Sequence, residues 1–304
     1  MNPLVKKILK ILGMVLGGIA VVIVALVLFV QFGPAPTYEA VEVPALTVSS
    51  SPEIMARGKR LVQMNCYGCH SNPESGVMEG QFFGENPLGS AFTANITRDR
   101  EHGAGAYTPG EMYRLLRTGV KRDHSLIVPF MPKFANMSEE DINAIVAFMQ
   151  SDDPMLAPSS TERSVNLSVL GKALMKFAWK PLEYPASYAS NPTLEDPVEY
   201  GRYLVTSQVL CFGCHSASHE VNLEHPEQTE GYLAGGAEFE EGLPSPSLRI
   251  AEDGLPGYTQ EEFIHSVRNG VNRAGKPFTP PMHGYPQLDS AEVAAIWAYL
   301  GTVK

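Results

Sequence analysis

The chain has 304 residues, 44% of them hydrophobic and 18% charged, which is the composition of a folding chain and excludes a disordered one. Lys and Arg number 23 against 33 Asp and Glu, a formal net charge of −10, so a nucleic-acid duplex would be repelled and nucleic acid is excluded as a partner. The length suits two domains and a connector better than one domain.

In chain order, the first feature is Ile11 to Val30, an uncharged run long enough for a helix to cross a hydrocarbon core of roughly 30 Å. Lys6, Lys7 and Lys10 precede it and no basic cluster follows. The positive-inside rule then leaves the amino terminus in the cytoplasm and places everything after Phe32 outside. A cleaved signal peptide is the competing reading; its apolar core would usually be about 7–15 residues, ending at a small-residue cleavage site. Here the run is longer and leads into Gln31-Phe32-Gly33-Pro34, which favours an uncleaved anchor over residues 1–33. Either reading exports the rest of the chain to an oxidising compartment.

Next comes Cys66-Tyr67-Gly68-Cys69-His70, which returns as Cys211-Phe212-Gly213-Cys214-His215. Two thiols three positions apart lie about one helical turn from each other, so both can reach the vinyl groups of one porphyrin. The histidine that follows is then held under the iron as an axial ligand. All four cysteines of the chain lie in these two motifs. A thioredoxin-like pair would want a βαβ context and no following histidine. A zinc ribbon would separate its pairs by roughly 15–20 residues, far less than the gap from Cys69 to Cys211. The reading is two covalently bound haem c groups.

The surroundings of the motifs repeat. Thr108 and Thr259, Gly119 and Gly270, and Met131 and Met282 share one offset, as do Ala144-Ile145-Val146-Ala147 and Ala295-Ile296-Trp297-Ala298. Two units of like construction follow, residues 52–151 and 197–304. In each, a helix leads into the haem motif, with Gly58, Leu61 and Val62 or Gly201, Leu204 and Val205. A second helix opens at the capping box Thr108-Pro109-Gly110-Glu111 or Thr259-Gln260-Glu261-Glu262. A third starts at Ser138-Glu139-Glu140-Asp141 or Asp289-Ser290-Ala291-Glu292. Neither unit shows a sustained strand alternation. The fold class is mainly α.

Residues 152–196 read as a linker, except that Leu167, Leu170, Leu174 and Phe177 fall on one face of an amphipathic helix over Asn166 to Trp179. That helix is expected to lie across both haem units, with the membrane surface as its second placement.

A single histidine leaves the sixth iron position open. Met282, in Pro280-Pro281-Met282, is the only methionine of the second unit, and the repeat pairs it with Met131 in Pro129-Phe130-Met131-Pro132. A thioether favours the reduced iron and raises the potential, and the flanking prolines would stiffen the loop. His283 and His124 are the nearby competitors, and neither is matched in the other copy.

The order Cys-x-x-Cys-His, Asn95-Ile96-Thr97, Gly105-Ala106-Tyr107-Thr108, Arg117-Thr118-Gly119-Val120, Met131-Pro132 and Ser138-Glu139-Glu140-Asp141 resembles the class I cytochromes c. It is most similar to the cytochrome subunits that serve membrane-bound alcohol, aldehyde and sugar dehydrogenases. The second copy matches through Gly257-Tyr258-Thr259, Arg268-Asn269-Gly270-Val271 and Pro281-Met282, while Pro246-Ser247-Leu248-Arg249 stands where no Asn-Ile-Thr is seen. The resemblance implies two cytochrome c-like haem domains in tandem, with His70 and Met131 on one iron and His215 and Met282 on the other. With the N-terminal transmembrane helix read from the apolar run and its lysines, the expectation is a single-pass protein of the cytoplasmic (inner) membrane with haem domains on the periplasmic side. Such a protein relays electrons between a quinol-oxidising complex or dehydrogenase and a terminal oxidase or other carrier, and is not itself an enzyme. A dihaem peroxidase is the competing class; it would need one open iron, and the paired methionines argue against that.

Overall fold

A computed structural model describes residues 2–185, 191–240, 242–250, 255 and 257–303 of the chain; part of the expected linker, residues 186–190, lies outside the described residues. The structure is mainly helical. Helix α1 runs Pro3–Phe32, is long and apolar enough to cross a membrane, and buries only Val30. The segment after it is extended and lies along the first half. The Tyr38 amide donates to the His124 carbonyl at 2.9 Å, the Arg114 guanidinium donates to the Val41 carbonyl at 3.3 Å, and Gly110 packs on the Pro44 carbonyl.

Each half is built on the same four helices. The first has α2 (Pro52–Asn65), the single turn α3 (Tyr67–His70), α4 (Pro109–Thr118) and α5 (Glu139–Met149). The second has α7 (Pro197–Tyr203), α8 (Cys211–His215), α9 (Gln260–Asn269) and α10 (Ser290–Leu300). Their ends follow from local chemistry. Thr108 and Thr259 both form full capping boxes, with Glu111 and Glu262 reaching back, and both helices stop on a left-handed glycine, Gly119 or Gly270.

Between them, α2 crosses α5 and α7 crosses α10 at a glycine. A Cβ on Gly58 would stand 2.0 Å from the Ala144 carbonyl oxygen, and one on Gly201 would stand 1.9 Å from that of Ala295. The two crossings are one device used twice, because Ala144 and Ala295 are repeat partners. From glycine to first cysteine the second copy is two residues longer. The surplus is absorbed by a π-helical turn over Leu204–Gln208 and by Leu210 in the left-handed region (φ 61°), so α8 still begins at the cysteine.

Strands are present, although no alternation announces them. β1 (Phe82–Asn86) and β2 (Gly89–Phe92) form a hairpin whose register shifts at Phe82/Gly84, and β3 (Val165–Leu167) adds to β2. In the second half β4 (Glu238–Glu240) pairs with β5 (Leu243–Pro244). Strands this short, one of them bulged, carry too few positions for a period of two to register. β3 ties the start of the expected linker to the first half, as do the Ser159 and Thr161 carbonyls, which accept from the Asn95 side chain at 2.7 and 3.0 Å.

Helix α6 (Val169–Phe177) is shorter than the expected 166–179 and packs on the last turn of α1 and beside the β1–β2 turn, where Ser168 bonds Pro87 and Gly171 touches Leu88. It therefore takes a station at the end of α1, not one across both units.

The halves meet through a pseudo-symmetric polar exchange. Asp141 and Glu292 are repeat partners, each the third residue of its helix, α5 or α10, where the dipole favours a carboxylate. Asp141 pairs with Arg57 of its own half and accepts from Tyr203 of the other at 2.6 Å and from Gln208 at 2.8 Å. Glu292 accepts from Tyr200 of its own half at 2.9 Å and from Arg60 of the other at 2.5 Å. Arg57 matches Tyr200 and Arg60 matches Tyr203 in the repeat, so each acid takes one of these matched donors from home and one from across, and Asp141 takes Gln208 from across as well. Both acids are buried, and these partners are what makes that burial tolerable.

Candidate functional site: two haem-attachment motifs facing one interface

His70 and His215 are both buried, each on the last residue of its short helix. Nδ1 of His70 lies 2.7 Å from the Ala94 carbonyl oxygen, and Nδ1 of His215 lies 2.9 Å from that of Pro246. A carbonyl can only accept, so Nδ1 carries the proton in both rings and Nε2 keeps its lone pair. Burial holds both imidazoles below their usual titration range, and so neutral. This is how a histidine is prepared for an axial metal bond: tautomer and ring plane are set by an outer hydrogen bond.

That pair of carbonyls settles a relation the sequence left open. Ala94-Asn95-Ile96 and Pro246-Ser247-Leu248 occupy the same place. The Asn95 side chain accepts from the Thr97 amide at 3.0 Å and the Ser247 hydroxyl from the Arg249 amide at 3.2 Å. The Ile96 and Leu248 amides bond the Met78 and Leu233 carbonyls at 2.9 Å each. A serine turn has replaced an asparagine turn, which hides the match from residue identity.

Among the described residues the four cysteines are free thiols. Burial first, and then the neighbouring thiol, pushes Cys66 and Cys211 up to about 12; burial also raises Cys69 and Cys214. Thiols held protonated are poor redox nucleophiles. Among the described residues no three His, Cys, Asp or Glu side chains are grouped to hold a metal ion. The donor set that remains, two neutral imidazole nitrogens, two paired thiols twice over and two thioethers, fits iron porphyrin.

Met131 and Met282 sit on matching turns. Their amides donate to the Val128 and Thr279 carbonyls at 3.2 and 3.1 Å, and each follows a matching antiparallel bridge, Val120 to Leu126 or Val271 to Pro277. Both are half-buried. Arg117 and Arg268, at matching positions, hold the backbone that follows. Arg117 donates to the carbonyls of Phe134, Ala135 and Met137, at 2.9, 3.0 and 2.5 Å, and Arg268 to that of Leu288 at 2.9 Å. The competing histidines have other partners: His283 lies 4.6 Å from the Tyr285 ring, and Nδ1 of His124 lies 3.4 Å from Arg114.

Both methionine loops reach the other half. Asn222, seven residues after His215, donates to the Pro129 carbonyl at 2.5 Å and accepts from the Lys133 amide at 2.7 Å, bracketing Met131. Gln287, five residues after Met282, accepts at its carbonyl from Arg60 of the first half at 3.0 Å, so the segment that follows Met282 also reaches across. Sequence reasoning missed Asn222 because its partners lie about ninety positions away and it has no counterpart in the first copy.

Fold and site together define a tandem of like helical units, each with a Cys-x-x-Cys-His motif, behind an apolar helix. The sequence profile described as Cytochrome c matches residues 55–152 and 198–304, which is most of the chain. The chain belongs to the cytochrome c family, and membership implies covalently bound haem c and electron transfer. It is 29% identical to the cytochrome c subunit of the quinone alcohol dehydrogenase of Gluconobacter oxydans, over 71% of this chain and 47% of that one. It is 26% identical to the fructose dehydrogenase cytochrome subunit of Gluconobacter japonicus, over 82% and 52%. It is also 25% identical to a dihaem cytochrome c of Cereibacter sphaeroides, over 84% of this chain and 90% of that one. The chain spans about half the length of the first two relatives.

Proposed function

We propose that this chain is a membrane-anchored dihaem cytochrome c that relays single electrons on the periplasmic face. Its donor is a membrane quinol-oxidising complex or dehydrogenase, and its acceptor a terminal oxidase or another carrier. Residues 1–33 are the anchor, 52–151 and 197–304 the haem domains, and 152–196 the linker. Cys66, Cys69 and His70 bind one haem and Cys211, Cys214 and His215 the other, with Met131 and Met282 as the sixth ligands. Bound iron porphyrin supplies the one-electron chemistry. The chain's own residues orient the imidazoles through Ala94 and Pro246, exclude water through the buried core, and hold the two motifs on one interface.

The observation that carries the reading is the pairing of two like histidine arrangements with two methionines on matching turns, the first of them held across the interface by Asn222. Similarity to the cytochrome subunits of alcohol and fructose dehydrogenases supports a dehydrogenase as donor. The test uses native membranes. Both haems should reduce when a dehydrogenase substrate or a quinol is added, and reoxidise with an acceptor. Neither reduced haem should bind carbon monoxide. Carbon monoxide binding by one haem together with turnover of hydrogen peroxide would replace the carrier with a peroxidase.

A further inference from the structure

Helix α6 carries an apolar stripe that the described residues leave open: Val169, Leu170 and Phe177 are 41%, 52% and 57% exposed. Beside it, Lys172, Lys176 and Lys180 recur at helical spacing, and no Asp or Glu occurs between Glu162 and Glu183 in a chain of net charge −10. The helix is also fixed in height. Phe177 meets Phe29 of α1 at 6.4 Å, and Lys176 donates to the carbonyls of Gly33 and Pro34 at 2.7 and 2.5 Å, closing the end of α1. Tyr38 donates to the Trp179 carbonyl at 3.4 Å at the same level. Aromatic rings, lysines and an open apolar face are gathered where the long apolar helix ends, which is the composition of a membrane–water boundary.

We propose that α6 lies in the headgroup layer of the bilayer at the outer end of α1, its apolar stripe in the acyl boundary and Lys172 and Lys180 on anionic phospholipid headgroups, while Lys176 stays on the end of α1. This rests on reading α1 as a retained anchor. A protein partner could cover the same stripe. It would not require the stripe to stand at the height of the last turn of α1, nor the local reversal of charge. The second contact turns a single tether into an oriented mount, with the first half held nearer the membrane by β3 and the 34–50 segment.

Nitroxide labels on Leu170→Cys and Phe177→Cys test this in the full-length holoprotein, in vesicles of phosphatidylcholine and phosphatidylglycerol. Val22→Cys in α1 and Glu261→Cys in the second half serve as references. Relaxation by oxygen should exceed relaxation by an aqueous nickel chelate at 22, 170 and 177, with 170 and 177 about 5–10 Å below the headgroups, and the reverse should hold at 261. Omitting phosphatidylglycerol should make the 170 and 177 labels shallower. Water-like labels at 170 and 177 with a lipid-like label at 22 would overturn the proposal and leave the anchor standing. Water-like labels at 22 as well would overturn both. Low access to either reagent at 170 and 177 would overturn it in favour of a protein contact.

Discussion

At the scale of the residue, Met282 is the sharpest test of the ligand assignment. Met282→Ala removes the only thioether of the second half. The potential of that haem should fall, half of the reduced haem should bind carbon monoxide, and the first haem should be unchanged. Unaltered spectra would refute the assignment. Asn222→Ala makes the complementary case, because the altered residue belongs to one half and its effect to the other. It removes three hydrogen bonds from the loop around Met131, one of them to the Met131 carbonyl at 3.4 Å, while leaving every proposed ligand side chain in place. The thioether-to-iron charge-transfer band of the first haem should then melt at lower temperature than that of the second; equal melting would show that the bracket does not matter. Glu79 gives a pH dependence. Bonds from Ser159 and Asn72 hold its carboxyl below the usual range, with Thr161 adding to them. The unfolded chain therefore binds that proton more readily. The contribution to stability is present above the ordinary glutamate range and is lost as pH falls through the depressed value. Glu79→Gln should lower the melting temperature at pH 7, where the contribution is present, and flatten its fall on the acid side of about pH 4.5, so that parent and variant converge there. An identical acid limb would remove Glu79 from the account.

At the scale of the element, the glycine crossings are the tightest joints in each half. Gly58→Ala sets a methyl carbon against the Ala144 backbone, and Gly201→Ala sets one against Ala295, at about 2 Å in both cases. Neither neighbour can swing away, because the obstruction is a helix carbonyl. Each substitution should cost about 1–3 kcal/mol or more and lower the melting temperature by about 2–4 °C per kcal/mol. Calorimetry showing no change would mean the helices slide freely. Much at this scale was legible beforehand: the caps at Thr108, Ser138, Thr259 and Asp289 lie where their side chains predict, since capping is a contact between residues three apart. The π-turn before Cys211 was legible only as a two-residue surplus, with nothing to say how the chain would store it. The hairpin at Phe82–Phe92 was missed because its strands are short and bulged. The station of α6 was missed because an amphipathic pattern declares a face to be covered and says nothing of what covers it.

At the scale of the whole molecule, what the sequence withheld is the way the halves face each other. Arg57 and Arg60 in one copy stand against Tyr200 and Tyr203 in the other, two donors of different type at matched places, and only contact across the interface shows why each acid needs one of each. This arrangement allows the coupling to be weakened while each acid keeps a partner. Arg60→Ala with Tyr203→Phe removes two of the three side-chain donors that cross to the acids, while Arg57 and Gln208 remain on Asp141 and Tyr200 on Glu292. Neither acid is then stranded, so each half keeps a partnered carboxylate at the start of its last helix. Bonds to charged groups contribute roughly 1.5–3 kcal/mol each, so the pair should weaken the joint by about 3–6 kcal/mol. Calorimetry of the holoprotein should show one unfolding transition in the parent and two in the double variant, both haems keeping their spectra at low temperature. Electron equilibration between the haems after a flash should slow as the motifs lose their fixed separation. A single transition with unchanged equilibration would move the joint from this polar exchange to the apolar contacts around it.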